Sequence, residues 1–441
     1  ENLMSWMTVD EINQKIKDLA GITLARWPVS KIQPEKFLLG KSAANFTGTG
    51  AAASYREGTS FEINALKIPS RVKSKPYEGG VDHLSVLITG GVLGNELIGP
   101  EASLHFAKLF LDAVQNYEKV DSSQQTTQYK QASDVTIGKY TIDHTDLEEI
   151  LEKLNIWVVP LVNPGGRDYY LSNPGFLSGR MNPNGVCINR NFDIGWDFKK
   201  LFTRAGWGMF YNSMDPKNRD PGDPVQFYQG PRAESEPETQ ALVKLMCKDA
   251  HIPSGGDPSI TWLFDIHGQN APVKSNVSYP WSWAENQVKK PAMCLGNHAY
   301  DPPALLSRDG FISLTIRPNT YGEYLPARTL DQLEALADKF TTAAKNCNGS
   351  TLWKSPEQGG KGFSSVGDLD DYFLWLDRNH CRAFTIECAD LQPNSTLKNV
   401  EMDEVSAGLF EAIKQIKDWV SSSSDPEENY SRLSTNQLTC P

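Results

Sequence analysis

The segment from Leu84 to Pro100 reads Leu84-Ser-Val-Leu-Ile-Thr-Gly-Gly-Val-Leu-Gly-Asn-Glu-Leu-Ile-Gly-Pro100. Its first six residues, ending at Thr89, form an apolar run that is typical of a strand buried on both faces of a sheet. The glycine pair that begins at Gly90 predicts the end of that strand. From Pro100 to Val114 the apolar residues recur with helical spacing. A buried strand, a glycine turn and a helix in succession indicate an α/β domain.

The same alternation of strands and helices continues in both directions along the chain. Thr8 with Glu11 three residues later predicts a capping box at the start of the first helix. The sequence Asn163-Pro-Gly-Gly predicts a turn after an apolar strand. The predicted helices are 8–20, 100–114, 235–247 and 405–420, and the predicted strands are 61–68, 84–89, 156–162, 260–266 and 382–387. This order favours a mixed, mainly parallel sheet sandwiched between helices, whose functional residues lie at the carboxyl ends of strands.

The chain shows no convincing linker and no internal repeat, so we predict a single domain spanning residues 1–441. Three polar or loop-like stretches look like additions to that framework. We therefore predict insertions near 120–146, 198–227 and 280–362.

Composition and charge exclude several classes of function. The 441 residues include 43 Lys plus Arg and 54 Asp plus Glu, which gives a net charge of −11. A chain this acidic lacks the basic surface that nucleic acids and anionic membranes require. No apolar run reaches the roughly 18 residues of a membrane-spanning helix. The seven cysteines are too sparse for a disulfide scaffold, and no Cys-x-x-Cys pair indicates a structural zinc site.

The first residue is Glu1 and no basic-then-apolar leader follows it, as expected of a chain whose signal sequence has been removed. We therefore predict a secreted or extracellular protein. Several Asn-x-Ser/Thr sequons would suit a glycoprotein, although some arise by chance in a chain this rich in Asn, Ser and Thr. The sequons begin at Asn45, Asn276, Asn348, Asn394 and Asn429.

Simple catalytic motifs are absent from the sequence, since neither Gly-x-Ser-x-Gly nor His-Glu-x-x-His occurs. Instead, polar residues follow or end apolar strands at several places. Glutamates in such places are informative because burying an unpaired carboxylate is expensive. Two carboxylates, one histidine and two arginines at converging strand ends predict a site for an anionic substrate. These residues are Glu96, Glu387, His267, Arg180 and Arg190, and Asn189 stands next to Arg190.

The order of these segments resembles the M14 zinc carboxypeptidases, the carboxypeptidase A/B-like or funnelin family. Seven blocks carry the resemblance, and they span nearly the whole chain in the family's order. The blocks are Gly90 to Pro100, Asn163-Pro-Gly-Gly, Asn184 to Phe192, Ser235-Glu-Pro-Glu-Thr, Phe264 to Gln269, Asp370-Asp-Tyr and Ala383 to Cys388. The resemblance implies an eight-stranded mixed sheet between helices and a zinc-dependent peptidase that removes C-terminal residues.

The resemblance also implies roles in metal binding and proton transfer. The family holds its zinc with His-x-x-Glu and a later His, leaving one position for water. Glu96 matches the glutamate ligand and His267 matches the later histidine. Glu387 matches the glutamate that takes a proton from zinc-bound water and delivers it to the leaving amine.

Further matches concern the peptide C-terminus. Arg180 corresponds to the arginine that polarises the scissile carbonyl in several branches of the family. Asn189 and Arg190 correspond to the pair that clamps the terminal carboxylate, a suitable partner for a forked guanidinium. Asp370 falls where the terminal side chain is read, and an acid there favours Lys or Arg. The alternative is that Asp370 merely caps a turn.

The sequence departs from the family at its metal site. Leu93 stands where the family has its first histidine ligand, and leucine has no lone pair to give a metal. Cys187 stands where an aspartate usually orients that histidine, a place too far from the metal for the thiol to replace the ligand. Phe363 falls where the family has a substrate-capping tyrosine. We therefore predict that zinc is weakly bound or absent.

These features predict a secreted carboxypeptidase-like protein that recognises the C-terminus of a peptide or protein. Its zinc site is degenerate and its peptidase activity is lost or impaired. One alternative is an active zinc metallocarboxypeptidase with an unusual ligand set or with Leu93 introduced deliberately. The other is a purely structural or assembly protein on this fold. Zinc content and peptide hydrolysis distinguish the three.

Overall fold

The computed structural model describes residues 6–24, 33–44, 59–70, 84–117, 131–172, 174, 179–193, 196, 228–246, 260–268, 276–278, 327–350, 353, 367–376, 381–388 and 398–422. The strands in these residues are β1 (Glu35–Lys41), β2 (Glu62–Ile68), β3 (Leu84–Gly90), β4 (Val135–Ile137), β5 (Tyr140–Ile142), β6 (Leu154–Val159), β7 (Ile260–Gly268), β8 (Asn276–Ser278) and β9 (Arg382–Cys388). The α-helices are α1 (Val9–Ala20), α2 (Ile98–Val114), α3 (His144–Lys153), α4 (Pro164–Ser172), α5 (Pro237–Met246), α6 (Ala327–Asn348), α7 (Leu369–Leu376) and α8 (Lys398–Ser422).

Seven of the described strands form one sheet in the order β1-β2-β6-β3-β7-β9-β8. The four central strands β6, β3, β7 and β9 run parallel to one another. The pairings of β1 with β2, β2 with β6 and β8 with β9 are antiparallel. The predicted mixed sheet between helices is therefore confirmed, with its parallel pairings confined to the centre. Every residue of β3 and β7 is buried, as their apolar runs require.

Most predicted elements occur close to their predicted bounds. Helix α1 begins with the predicted capping box, in which the Glu11 amide donates to Thr8 Oγ1 at 3.3 Å and the Thr8 amide donates to Glu11 Oε2 at 2.7 Å. Strand β1 was not predicted from the sequence. None of the described helices is long and apolar enough to cross a membrane.

The turn predicted at Asn163-Pro-Gly-Gly is wrong, because Pro164 begins helix α4. Proline suits the first position of a helix, where its missing N–H is not needed. The Gly166 amide donates to Asn163 Oδ1 at 2.9 Å, so Asn163 caps the helix. The turn signal and the helix-start signal use the same residue types, and here the helix prevails.

The predicted insertion at 198–227 lies outside the described residues, and the other two extend beyond them. Within 120–146 the structure describes the β4–β5 hairpin, and within 280–362 it describes α6. Helix α6 contributes buried Phe340 to the main hydrophobic core, where Trp353 packs against it edge-on at 5.5 Å between ring centres. The single domain and the insertions remain predictions.

A buried ion cluster fastens the N-terminal segment to the domain. Arg167 of α4 pairs with Glu101 of α2 at 3.0 Å and donates to the Met7 carbonyl at 2.9 Å. Glu101 also accepts from the Met7 amide at 2.7 Å and pairs with Lys398 at 3.3 Å. Burial lowers the pKa of Arg167 to about 10, so its guanidinium stays charged near neutral pH. The carboxylate and the two cations satisfy one another in an interior that would otherwise penalise each of them.

The connection from β3 to α2 is held by close backbone packing. A Cβ on Gly94 would lie 2.4 Å from the Gly166 carbonyl carbon and 2.5 Å from the Arg167 nitrogen. Backbone atoms in a helix cannot move aside as a flexible side chain can. Gly94 therefore fixes the path of the connection that carries Glu96.

We predict that Gly94→Ala destabilises the protein by at least about 3 kcal/mol, because the added methyl group meets backbone at both positions. Denaturant unfolding of the variant and the wild type measures this difference. Gly40→Ala in β1 is the matched control, since its Cβ would lie 3.5 Å from Ala241 Cβ in ordinary contact. We expect the control to change stability by less than about 1 kcal/mol. Equal effects of the two substitutions would contradict the close approach at Gly94.

Candidate functional site

Three central strands place the predicted metal-binding residues at one edge of the sheet. His267 lies near the end of β7, in register with Glu387 on the adjacent parallel strand β9. Glu96 follows β3 on the other side of β7. His267 Nδ1 lies 2.8 Å from Glu96 Oε2, and the Gly268 amide donates to the same oxygen at 3.0 Å. The predicted meeting of Glu96 and His267 is thus present in the structure.

His267 lies between two buried carboxylates. Its Nε2 is 2.6 Å from Asp265 Oδ2, on the side of the ring opposite Glu96. Thr89 on β3 donates to Asp265 Oδ1 at 2.7 Å. Burial lowers the pKa of His267, but the charges and hydrogen bonds of Asp265 and Glu96 outweigh it and raise the pKa well above the ordinary value. Each nitrogen of the ring thus lies within hydrogen-bond distance of a carboxylate oxygen.

Arg180 contacts the same glutamate. Its Nη1 lies 3.5 Å from Glu96 Oε1, while Glu96 Oε2 accepts from His267 and Gly268. The Arg180 and Glu96 side chains are only 11% and 6% exposed, so solvent screens this pair little. Glu96 is thus held by the His267 ring, the Arg180 guanidinium and one backbone amide.

Leu93 and Cys187 stand where the family has its first histidine ligand and the aspartate that orients it, and both are buried. Leu93 is 2% exposed, and its carbonyl accepts from the Glu96 amide at 3.1 Å. Cys187 is fully buried with a free thiol, and its amide donates to the Tyr228 carbonyl at 2.8 Å. Within the described part of the chain, no three His, Cys, Asp or Glu side chains are grouped so that they could hold a metal ion. Phe363 lies outside the described residues.

Asn189 and Arg190, which we call the clamp, are hydrogen-bonded to another segment of the same chain. Arg190 ends a short 3₁₀ turn, Ile188–Arg190, and its Nη1 donates to the Asp368 carboxylate and to the Asn189 carbonyl. Asn189 Oδ1 accepts from the Leu369 amide at 2.9 Å. Both clamp residues therefore contact the entry into helix α7.

Asp370 lies in the first turn of α7 and reaches the sheet. Its Oδ2 accepts from Thr385 Oγ1 on β9 at 2.8 Å, and Thr385 is in register with Asp265 on β7. Burial raises the pKa of Asp370 to about 6, with the neighbouring Asp368 carboxylate adding to the shift. This contact joins the first turn of α7 to strand β9.

Several site residues were not predicted from the sequence. Asp265 lies two residues before His267, and the two-residue period of a strand could have placed both on one face. No sequence signal links Asp368 to Arg190, since the two are 178 residues apart and each lies at the start or end of a loop.

A second buried cluster anchors the loop that carries Arg180 and Arg190. Asn182 Nδ2 donates to Glu236 Oε2 at 2.7 Å and to Glu238 Oε2 at 3.0 Å. The Ala43 amide donates to Glu238 Oε1 at 2.9 Å. Burial raises the pKa of Glu238 from 4.5 to about 7, and the Glu236 charge adds to this against the hydrogen bonds from Ala43 and Asn182.

Comparison with known proteins identifies the fold. The family model described as zinc carboxypeptidase, peptidase family M14, matches residues 51–407. Bovine thrombin-activatable fibrinolysis inhibitor in complex with tick carboxypeptidase inhibitor superposes with a TM-score of 0.53 and 15% identity over 94% of this chain and 99% of that chain. A second structure of thrombin-activatable fibrinolysis inhibitor gives a TM-score of 0.54 and 14% identity over 94% of this chain and 75% of that chain. No curated protein sequence matches this chain significantly.

The raised pKa of Glu238 predicts a measurable pH dependence of stability. Between pH 4.5 and about 7 the folded chain keeps this proton while the unfolded chain has released it, so the free energy of unfolding falls as pH rises. We expect a contribution of roughly 3 kcal/mol across this window, from 1.36 kcal/mol per unit of pKa shift. Denaturant unfolding at pH 4.5 and pH 7.5 measures it.

The control for this prediction is Glu238→Gln, which removes the titration but keeps an acceptor for Ala43. Its amide nitrogen faces the Asn182 amide, so we expect the variant to be less stable at every pH and compare only the slopes. The variant's stability should depend less steeply on pH than that of the wild type. Identical slopes would show that Glu238 titrates alike in the folded and unfolded chain.

Proposed function

The chain belongs to the zinc carboxypeptidase family, and from that premise we propose that it recognises the C-terminus of a peptide or protein through a pocket that works without catalytic zinc. Its peptidase activity is lost or impaired. The observation that carries this proposal is the pairing of His267 with both Asp265 and Glu96. The two surviving family ligands are committed to each other, and the third position is Leu93.

The described residues do not fit a catalytic zinc ion. Such an ion needs three protein ligands and an open position. Here Leu93 supplies no donor atom, and each ring nitrogen of His267 is within hydrogen-bond distance of a carboxylate oxygen, so a metal would have to displace one of these contacts. The Arg180 guanidinium lies 3.5 Å from Glu96, so this carboxylate is already paired with a cation. Zinc could bind to Glu96 and His267 only by displacing their present partners.

Loss of zinc removes the usual role of Glu387. A glutamate acts as a general base in this family only on a water activated by the metal. Without that activation, a partly buried carboxylate in register with His267 can accept hydrogen bonds from a bound peptide but lacks a sufficiently acidic water to deprotonate. Binding of a peptide without hydrolysis follows from this arrangement.

Recognition of a terminal carboxylate does not require a metal. Guanidinium groups bind carboxylates through paired, charge-assisted hydrogen bonds, and these bonds are stronger where solvent is excluded. Arg190 is 4% exposed, and Arg180 is nearly as buried, so both lie in surroundings of that kind. We assign the carboxylate to Asn189 and Arg190, and the preceding peptide carbonyl to Arg180.

The acidic residue Asp370 gives the pocket a preference among terminal side chains. Because Asp370 points from α7 to Thr385 on the central sheet, its charge lies inside the domain rather than on a surface turn. A basic side chain of the ligand would stabilise its ionised form, which burial and, next, the Asp368 charge disfavour. We therefore propose that C-terminal Lys or Arg is preferred.

We also propose that the protein acts outside the cell. The sequon residue Asn348 ends helix α6 and is exposed, as a glycosylation site must be.

We predict that, in the presence of a chelator, peptides with a free C-terminal carboxylate bind more tightly than the corresponding amides. We also expect the bound peptides not to be hydrolysed. Isothermal titration with peptides ending in Lys, Phe and Glu should rank them Lys, Phe, Glu in decreasing affinity. The carboxylate is worth about tenfold or more, given the strength of charged hydrogen bonds. Equal affinities for the three would remove Asp370 from the pocket. Equal affinities for acids and amides would contradict the proposed function and favour a purely structural protein.

We predict that the wild-type protein loses any zinc on mild dialysis and that Leu93→His recovers measurable zinc affinity. Adding Cys187→Asp should strengthen binding by about tenfold or more, because an aspartate there would orient the new imidazole. Titration calorimetry and elemental analysis measure both effects. Leu93→Gln is the matched control, since it is polar and similar in size but a poor zinc ligand.

Two outcomes would contradict this account of the metal site. One zinc ion per wild-type chain that survives dialysis would favour the active metallocarboxypeptidase. A folded double variant, verified by thermal melting, that still ignores zinc would mean that Glu96 and His267 are not surviving metal ligands.

A further inference from the structure

We infer that Asp368 is an internal carboxylate ligand of Arg190 that competes with the carboxylate of a bound peptide. Asp368 would then determine how tightly the pocket holds a C-terminus. This inference rests on the proposed function, because it concerns the same clamp of Asn189 and Arg190. It goes further by naming the residue of this chain that sets the affinity of that clamp.

Each residue of the segment 367–369 makes a hydrogen bond to the stretch 189–192, which contains the clamp. The Phe192 amide donates to the Gly367 carbonyl at 3.1 Å. Asp368 accepts from Arg190 Nη1, and the Leu369 amide donates to Asn189 Oδ1 at 2.9 Å. Three hydrogen bonds in succession hold this segment where it reaches both residues of the clamp.

Gly367 allows the close approach. Its φ is +77°, a conformation that side chains disfavour, and a Cβ there would lie 2.3 Å from the Arg190 carbonyl oxygen. Any other residue would push the segment away from Arg190. The backbone is thus suited to deliver the Asp368 carboxylate to the guanidinium.

The contact uses one nitrogen of the guanidinium completely. Arg190 Nη1 carries two hydrogens, and it donates to both the Asp368 carboxylate and the Asn189 carbonyl. A ligand carboxylate that pairs with two terminal nitrogens would need one of those hydrogens. It would therefore have to displace Asp368 or bind beside it.

Charge and burial oppose binding beside Asp368. The Arg190 and Asp368 side chains are 5% and 10% exposed, so a second carboxylate would meet Asp368 with little solvent screening. Among the described residues, Asp368 Oδ2 is buried without a hydrogen-bond partner. A carboxylate with one unsatisfied oxygen is held less firmly than a fully bonded one, which suits exchange with an incoming ligand.

A different role for Asp368 predicts the opposite result. If Asp368 only positioned Arg190 for the ligand, removing its charge would loosen the guanidinium and weaken binding. If Asp368 competes, removing its charge strengthens binding of the ligand carboxylate. The sign of the change in affinity therefore separates competition from positioning.

The test measures binding of an acetylated tetrapeptide ending in leucine, as the free acid and as the amide, by isothermal titration of the full chain. Asp368→Asn keeps an oxygen that can accept from Arg190 but removes the charge. We expect it to bind the free acid at least tenfold more tightly than the wild type does, with the amide unchanged. Asp112→Asn on α2, whose partner is Lys108, controls for net charge and should match the wild type.

Unchanged or weaker binding of the acid by Asp368→Asn would overturn the inference while leaving the proposed function intact. If neither protein distinguished the acid from the amide, the proposed function itself would fail. Thermal melting establishes that each variant is folded. Asp368→Ser is a second variant that removes the charge together with the unsatisfied oxygen, and the same tenfold gain is expected from it.

Discussion

The pairing of His267 with Asp265 and Glu96 is the interaction on which the rest of the site depends. It joins the adjacent strands β3 and β7, because Thr89 holds Asp265 while the connection after β3 supplies Glu96. All three side chains are buried, so removing one of them would leave polar groups without partners in the interior. The pairing therefore stabilises the sheet edge as well as shaping the site.

Pairing of buried charges also organises the neighbouring contacts. Glu96 is bridged to Arg180, and Arg190 is bridged to Asp368, so each buried cation of the site has a carboxylate of the same chain. Exchange of one carboxylate for another at Arg190 would leave the number of buried charges unchanged. The proposed recognition of a peptide C-terminus is compatible with that balance.

The sequence predicted the central sheet and the meeting of Glu96 with His267, because buried strands and their ends are encoded locally. It did not predict the engagement of Arg190 by Asp368, since that contact depends on how a distant loop folds back on the clamp. The start of α4 was mistaken for a turn because Asn, Pro and Gly favour both, and only the capping bond of Asn163 distinguishes them. Local signals thus fix the framework, and tertiary packing decides how its functional groups are paired.

The contacts of Glu96 show how the proposed loss of the metal is compatible with the fold. In a catalytic site of this family a divalent cation would balance the buried carboxylates. Here Glu96 contacts both His267 and the Arg180 guanidinium, and Asp265 contacts His267 from the other side of the ring. A carboxylate left unpaired in the interior would be far more costly than one in a completed network. Under the proposed function, these contacts keep Glu96 and Asp265 paired while Leu93 occupies the first ligand position.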